Sequence, residues 1–239
     1  MSFQPTPPST DDDRSDDVPT HPACVMVFNA CDPSGAGGLT ADIATIASVG
    51  GHPVAIATGA YARDTARIYE HFCLDDEAVT EQARTVLEDL PVQVIKVGFV
   101  GSAENISAIA ELSNDYSELP LISYMPDLSW WQEDQIDQYL DAFRELLLPQ
   151  TSVLVGNHST LWRWLLPDWS SERSPSARDL AAANVEEGAG RQTVLLAGRG
   201  RQALVGGEVL AVDDVLGADP AGRARRSVDR RRRCRSLSV

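Results

Sequence analysis

Residues 31–42 read CDPSGAGGLTAD and join an apolar strand to an amphipathic helix through a loop that is almost free of side chains. The strand is predicted at residues 25–28, VMVF, and apolar residues return at helical spacing over residues 43–49. Asp32 and Ser34 are expected to cap the start of the helix, and the glycines allow backbone N–H groups to approach a ligand. The stretch therefore predicts a small-molecule site where the strand meets the helix. A plain capped turn is the alternative interpretation.

Strand-like and helix-like segments alternate along the rest of the chain. The predicted strands are 25–28, 54–60, 67–72, 92–97, 120–124, 152–155, 193–196, 202–205 and 208–212. The predicted helices are 38–49, 75–90, 103–112, 133–148, 159–166 and 177–187. This alternation predicts an α/β fold with a mainly parallel central sheet and helices on both faces. Ligands of such sheets bind outside the carboxyl ends of the strands, where the loop at residues 35–38 would lie.

The composition fits one folded domain with two atypical ends. The chain has 239 residues, of which 43% are hydrophobic, and this can supply a sizeable core. Residues 1–22 are rich in proline and aspartate and are predicted to form a disordered leader. Residues 23–219 are the predicted single domain, and residues 220–239 are an Arg-rich tail that is predicted to be disordered.

The charge of the chain is divided unevenly between this tail and the rest. The formal net charge is -15, but the tail holds eight of the 20 basic residues and one acid. The remainder therefore has 12 basic and 34 acidic residues, a net charge of -22. A body this acidic repels polyanions, which excludes nucleic-acid and anionic-membrane binding as expected functions. The tail is typical of an out-of-frame reading of a GC-rich gene or of free divergence.

The cysteines and the hydropathy pattern bear on the compartment. Cys24, Cys31, Cys73 and Cys234 show neither C-x-x-C spacing nor the density of a disulfide scaffold, which favours a reducing cytoplasm. No stretch approaches the roughly 18 apolar residues of a membrane span, and the N-terminal residues lack a signal-peptide pattern. We expect a soluble cytoplasmic protein with no membrane partner and no metal-ligand set of its own.

Several motifs follow one another in the order found in one enzyme family. Residues 30–43, ACDPSGAGGLTADI, resemble the family's G-T-D-P-S-G-G-A-G-x-Q-A-D-I, and residues 96–100, KVGFV, resemble its K-I-G-M/L-L. Residues 146–150, LLLPQ, and 154–157, LVGN, resemble the segment that leads to its T-P-N. The chain thus resembles the hydroxymethylpyrimidine/phosphomethylpyrimidine kinases of thiamine biosynthesis, which are ribokinase-like. The resemblance implies a ribokinase-like α/β fold, ATP and Mg²⁺ as cofactors, and a small-molecule pyrimidine substrate.

The resemblance also implies a pyrimidine site on the glycine-rich loop. The residues it implies are Ala30, Gly37, Gly38, Asp42, Arg63 and Val100. The Asp that matches Asp42 contacts the aminopyrimidine in the family, and a carboxylate accepts hydrogen bonds from an exocyclic amine. Arg63 replaces a Glu or Gln and can only donate hydrogen bonds, whereas Val100 replaces a Met or Leu that packs on the ring. From the residues alone, Asp42 could equally be an exposed first-turn acid that the helix dipole favours.

The motifs for the nucleotide match less well. Asn157 would lie near the phosphates, but Thr160 stands where relatives place a Glu that helps to organise Mg²⁺. Gly198, Arg199 and Gly200 match the family's K-G-G, with the Arg as a possible substitute for the Lys that supports the ATP phosphates. A hairpin turn is the alternative interpretation of these three residues.

The anion-hole motif of the family, G-A-G-D or H-G-T-G-C, is one residue short in this chain. Its nearest match is Gly217 and Asp219, and Asp219 is the candidate catalytic base. Pro220 then removes a backbone donor. Three functions remain open: a hydroxymethylpyrimidine or phosphomethylpyrimidine kinase, a degenerate homologue that binds a pyrimidine or a protein without catalysis, and a kinase for another small alcohol such as pyridoxal. The last would explain Arg63.

All the tryptophans fall within one quarter of the chain. They are Trp130, Trp131, Trp162, Trp164 and Trp169. Clustered aromatic side chains can form a partner-binding surface, in which case we expect a homodimer. Alternatively, they fill the core and a lid on that side of the sheet.

Overall fold

The computed structural model describes residues 21–186, 193–197, 202–205 and 208–211. The strands are β1 (Cys24–Cys31), β2 (His52–Arg63), β3 (Ile68–Cys73), β4 (Val92–Val97), β5 (Leu121–Met125), β6 (Val153–Asn157), β7 (Thr193–Ala197), β8 (Gln202–Val205) and β9 (Glu208–Ala211). The helices are α1 (Gly38–Ser48), α2 (Asp76–Leu87), α3 (Ala103–Asp115), α4 (Glu133–Ala142), α5 (His158–Leu165) and α6 (Ala177–Glu186). Every predicted strand and helix therefore has a counterpart among these elements.

The strands form one mixed sheet in the order β3-β2-β1-β4-β5-β6-β7-β8-β9. Its centre, from β2 through β1 and β4 to β7, is parallel, and the neighbours at both sides pair antiparallel. This confirms the predicted α/β fold with a mainly parallel sheet. Because parallel strands end at the same edge of a sheet, β1, β4, β5 and β6 bring their following loops together.

The helix predicted over residues 133–148 is wrong at its C-terminal end. The α-helix stops at Ala142, continues as a π-helical turn (Phe143–Leu147) and closes with a 3₁₀ turn (Leu148–Gln150). Pro149 explains the change in the last turn, because a proline has no N–H and its ring clashes with the carbonyl four residues earlier. Among the described residues no helix is long and apolar enough to cross a membrane.

The core contains most of the aromatic side chains that the sequence singled out. Trp164 is buried, and Trp130, Trp131 and Trp162 are partly buried against the same core. Trp169 is half-buried and packs against the guanidinium of Arg173. These positions support the interpretation that the tryptophans fill the core and its margin.

Candidate functional site

Asp32 organises the glycine loop, which we define as residues 32–38 between β1 and α1. Its carboxylate is fully buried, and Oδ1 accepts hydrogen bonds from Ser34 N at 2.8 Å and from Ser34 Oγ at 2.7 Å. Oδ2 accepts a bond from Gly37 N at 2.9 Å. The predicted helix cap is therefore wrong: the N-cap of α1 is Gly37, with no side-chain bond, and Asp32 binds its own loop instead.

Gly38 must be a glycine for two reasons. Its φ is +58°, a conformation that L side chains rarely adopt, and a Cβ at this position would collide with the carbonyl oxygen of Ala30. Ala30 is buried and donates its own N–H to Phe99 O at 3.2 Å. The predicted site residues Ala30, Gly37 and Gly38 are therefore brought together, with backbone rather than side chains at their contact.

Asp42 lies one turn into α1 with both carboxylate oxygens engaged. Lys96 Nζ, from the end of β4, pairs with Oδ1 at 2.5 Å, and Asn29 Nδ2, from β1, donates to Oδ2 at 2.8 Å. The side chains of Asp42 and Lys96 are 19% and 23% exposed, so the carboxylate still reaches solvent. A carboxylate has about four lone-pair sites and can accept further bonds from a ligand.

Asn29 and Lys96 are residues whose roles the sequence analysis missed. Asn29 Oδ1 also accepts bonds from Ala30 N at 2.9 Å and from Phe99 N at 3.3 Å, so this one amide joins β1, the segment that follows β4, and Asp42. The available signal was an asparagine in the otherwise apolar β1 and a lysine in the mainly apolar β4. Lys96 is also the one lysine of the sequence.

Arg63 ends β2 and reaches the glycine loop. Its Nη1 lies 3.3 Å from Asp32 Oδ2, and its Nε donates to Asp64 O at 2.9 Å. The side chain is 16% exposed. Its ion-pair partner is thus Asp32, the loop residue for which the sequence predicts a capping role. The local sequence does not indicate this ion pair.

Val100 is fully buried and borders an aromatic cluster, which we define as Tyr61, His71, Phe99, Trp130, Trp131 and Tyr139. Its backbone N–H donates to Tyr139 Oη at 3.3 Å. Tyr61 and Phe99 stack at 5.8 Å between ring centroids. Burial lowers the pKa of His71 to about 4 and raises the pKa of Tyr61 above its usual range, so both rings are neutral near pH 7.

A polar cavity of about 450 Å³ opens beside this cluster. Its lining includes Arg63, Arg67, Asp127 and the ring of Trp130. A second cavity of about 240 Å³ lies between α4 and α5 and is largely apolar, with Leu140 and Trp164 among its walls. Arg63 lines the first cavity and also forms the ion pair with Asp32 of the glycine loop. We therefore associate the first cavity with the candidate site.

Asn157 is placed at the start of α5, at the carboxyl end of β6. Its Oδ1 accepts bonds from Thr160 N at 2.8 Å and from Ser159 Oγ at 2.8 Å, so the side chain caps the helix. The other predicted phosphate-site residues, Gly198, Arg199, Gly200 and Gly217, and the candidate base Asp219, lie outside the described residues. The strands on either side of the first three, β7 and β8, pair antiparallel.

The residues that the structure describes do not offer an obvious Mg²⁺ site. In that part of the chain no group of three or more His, Cys, Asp or Glu side chains could hold a metal ion. Thr160 stands at the position of the expected Glu, and Asn157 Oδ1 already accepts a hydrogen bond from Thr160 N in α5. We therefore assign no step to a metal on the basis of these residues.

Comparison with known proteins yields one consistent family. The sequence profile of the phosphomethylpyrimidine kinase family matches residues 32–223. A hydroxymethylpyrimidine/phosphomethylpyrimidine kinase of Streptomyces coelicolor is 33% identical over 94 residues, which cover 39% of this chain and 35% of that protein. The corresponding kinase of Aquifex aeolicus is 31% identical over 80 residues, 34% of this chain and 31% of the relative. The matches to these relatives thus span about a third of their length.

Solved structures agree in fold. A phosphomethylpyrimidine kinase from Clostridium difficile 630 superposes with a TM-score of 0.65 at 18% identity, over 79% of this chain and 83% of that one. A pyridoxal kinase from Staphylococcus aureus in complex with AMP-PCP and pyridoxal superposes with a TM-score of 0.62 at 18% identity, over 76% and 66% of the two chains. The sheet order and these superpositions confirm the ribokinase-like fold.

Proposed function

Because this chain belongs to the phosphomethylpyrimidine kinase family, we propose that it transfers the γ-phosphoryl group of ATP to hydroxymethylpyrimidine or to its monophosphate, as in thiamine biosynthesis. ATP as the donor, its Mg²⁺ requirement and a cytoplasmic location are all part of this proposal. The reaction depends mainly on positioning and on stabilisation of charge, since a phosphoryl transfer asks for little covalent chemistry from the protein.

The observation that carries the proposal is the carboxylate of Asp42 beside the glycine loop. Lys96 and Asn29 hold one oxygen each, so the carboxylate is oriented before a ligand arrives. Its remaining acceptor sites suit an exocyclic amine and a ring N–H. A pre-oriented acceptor loses little freedom on binding and can therefore position the hydroxymethyl group for transfer.

The hydroxyl of the bound pyrimidine alcohol attacks the γ-phosphorus in this proposal. The bond from the phosphorus to the ADP oxygen breaks, and ADP leaves with that electron pair. Asp219 is the candidate base for the hydroxyl proton, and the backbone near Gly217 is the candidate anion hole. Both remain predictions of the sequence.

A second function, binding without catalysis, is favoured by the use of Asn157. Its Oδ1 accepts two bonds within its own helix, and Thr160 supplies no charge for a metal. Among the described residues, the substrate side of the site thus has a side chain that can bind a ligand, Asp42, whereas the oxygen of Asn157 on the phosphate side is already engaged. The two functions share the ring-binding step and differ in turnover.

Removing the Asp42 carboxylate tests the ring-binding step that both functions share. We expect Asp42→Ala to weaken binding of hydroxymethylpyrimidine by about 1.5 to 3 kcal/mol, because a hydrogen bond to a charged group is lost. Isothermal calorimetry would measure it. Glu81→Ala, which changes an exposed acid on α2, is the matched control and should leave the affinity unchanged. Equal affinity of the wild type and Asp42→Ala would contradict the proposed site.

A homodimer is a further part of the proposal. β3 lies at the end of the sheet order, and its Tyr69 and Phe72 are 68% and 57% exposed. Exposed aromatic side chains on a strand that lies at the edge of the described sheet support an interface between copies. Sedimentation equilibrium would give the mass in solution, and a monomer at all concentrations would contradict the dimer.

A further inference from the structure

We propose that Arg63 is a positioning residue: its guanidinium neutralises the buried carboxylate of Asp32 and thereby fixes the glycine loop. The proposal goes beyond ring recognition, because it concerns the loop before any ligand binds.

Asp32 needs a cation because its side chain has no access to solvent. The carboxylate is 0% exposed and accepts three hydrogen bonds, two from Ser34 and one from Gly37. A buried charge is costly unless it is paired as well as hydrogen-bonded. In the described part of the chain, Arg63 supplies the ion pair to this carboxylate, at 3.3 Å from Oδ2.

The same oxygen of Asp32 receives both Arg63 and the backbone of the loop. Oδ2 accepts Gly37 N at 2.9 Å, and a Cβ placed on Gly37 would lie 3.7 Å from this oxygen and 4.0 Å from Arg63 Nη1. The guanidinium, the carboxylate and the N-cap residue of α1 therefore meet at one point. A change in the charge balance at Oδ2 acts directly on the bond that fixes Gly37.

Arg63 is itself held by the turn between β2 and β3. Its Nε donates to Asp64 O at 2.9 Å. Asp64 closes the turn, since its Oδ1 accepts Ala66 N at 2.7 Å and Arg67 N at 2.8 Å, and its Oδ2 accepts Tyr69 Oη at 2.7 Å. The guanidinium thus connects this hydrogen-bonded turn to Asp32 of the glycine loop.

Amide hydrogen exchange of Gly37, followed by NMR, tests this role without any ligand. We expect Arg63→Gln to speed this exchange at least tenfold and Arg63→Lys to restore much of the protection, because lysine keeps the charge but not the planar fork. Arg67→Gln is the matched control. Arg67 is exposed, lines the same cavity and has no ion pair among the residues described, so its removal should leave Gly37 unchanged.

The amide of Ile95, which donates to Pro120 O in the centre of the sheet, reports whether a variant keeps its fold. Unchanged Gly37 exchange in Arg63→Gln, with Ile95 still protected, would overturn the proposal. If Arg63→Gln lost its fold as a whole, the comparison of Arg63→Lys with the wild type would decide instead. Equally slow Gly37 exchange in these two proteins would support the role of the charge. Unprotected Gly37 in a folded Arg63→Lys would overturn it.

A double-variant comparison separates the ion pair from other effects of the substitution. In an Asp32→Asn background the charge is already absent, so adding Arg63→Gln should change Gly37 exchange less than twofold. An effect as large as in the wild-type background would contradict the pairing. Calorimetry on the wild type is a separate readout: its failure to bind hydroxymethylpyrimidine would contradict the proposed function, while the exchange data would still decide the role of Arg63.

Discussion

At the scale of single residues, the candidate site is built from pairs that lie far apart in the sequence. Asp42 is held by Asn29 and Lys96, and Asp32 by Arg63. The close packing of these side chains also explains why glycine is required at a neighbouring position. A Cβ at Gly98, for example, would collide with the side chain of Asn29, so the amide that orients Asp42 requires a glycine directly after β4.

Arg63 is also expected to influence which ring edge is preferred. A guanidinium only donates, so it favours a ring that presents an acceptor, and pyridoxal-type alcohols fit this better than an aminopyrimidine does. Hydroxymethyluracil and hydroxymethylcytosine present opposite donor and acceptor patterns along one edge. We expect Arg63→Gln to shift the ratio of their dissociation constants towards hydroxymethylcytosine by about tenfold, measured by competition calorimetry.

The ratio of the two dissociation constants distinguishes recognition of the ring edge by Arg63 from its effect on the position of the glycine loop. Loosening of the glycine loop weakens both ligands alike, whereas loss of a directional donor weakens one of them. Arg67→Gln serves as the control from the same cavity. A ratio that is the same in the wild type and in Arg63→Gln would mean that Arg63 does not contact the ring edge.

His71 makes the stability of the fold depend on pH between about 6.5 and 4. Burial lowers its folded pKa to about 4, and its buried Nε2 has no hydrogen-bond partner within the described part of the chain. The unfolded chain takes up a proton near pH 6.5, so folding becomes less favourable as the pH falls from there, and the loss is complete below about pH 4. We expect urea unfolding to show a smaller loss between pH 7.5 and 5 for His71→Gln than for the wild type.

His52→Gln is the control for this pH dependence, since His52 is exposed on β2 and should leave the loss unchanged. The chosen range avoids Asp64 and Asp179. Hydrogen bonds lower the pKa of both carboxyls, and their contribution to stability is lost only in more acidic solution. Identical pH dependence of wild type and His71→Gln would show that His71 does not control it.

At the scale of elements, α5 shows how a predicted site residue serves a structural purpose. Asn157 caps this helix, so Asn157→Ala should lower the free energy of unfolding by about 1 kcal/mol, while Asn157→Asp should retain most of it. Urea unfolding measures both. Gln132→Ala is the matched control, because Gln132 holds the N-cap position of α4 without a side-chain bond. An Asn157→Ala variant as stable as Gln132→Ala would argue against the cap.

At the scale of the whole molecule, we expect the chain to be a slow kinase despite its kinase fold. Each anion-hole donor is worth about 3 kcal/mol in acyl transfer, and the matching motif here is one residue short and followed by Pro220. A phosphoryl transfer that depends on positioned donors should lose at least as much, and the Thr160 that stands in place of a metal-organising Glu adds to the loss, so the rate should lie about three orders of magnitude or more below that of relatives.

An ATP-consumption assay with hydroxymethylpyrimidine, with and without Mg²⁺, would measure this rate. The comparison protein carries an in-frame helix beginning G-S-G-C in place of residues 220–239. We expect the replacement to raise turnover and the activity to require Mg²⁺. Turnover typical of the family in the unmodified chain would show that Asp219 or another residue already serves as base in a complete anion hole.

The sequence by itself determined the order of strands and helices, the position of the glycine loop and the family, because each of these follows from local spacing and short motifs. The end of the helix predicted over residues 133–148 was wrong because one or two turns contain too few apolar residues to distinguish an α-helical turn from the π-helical and 3₁₀ turns found there. Only the tertiary structure decided that Asp32 binds its own loop and Arg63, and that Asn29 and Lys96 hold Asp42. The contacts of Arg63, Asn29 and Lys96 join residues that meet only when the parallel strands align, and no local pattern encodes which distant side chain will neutralise a buried charge.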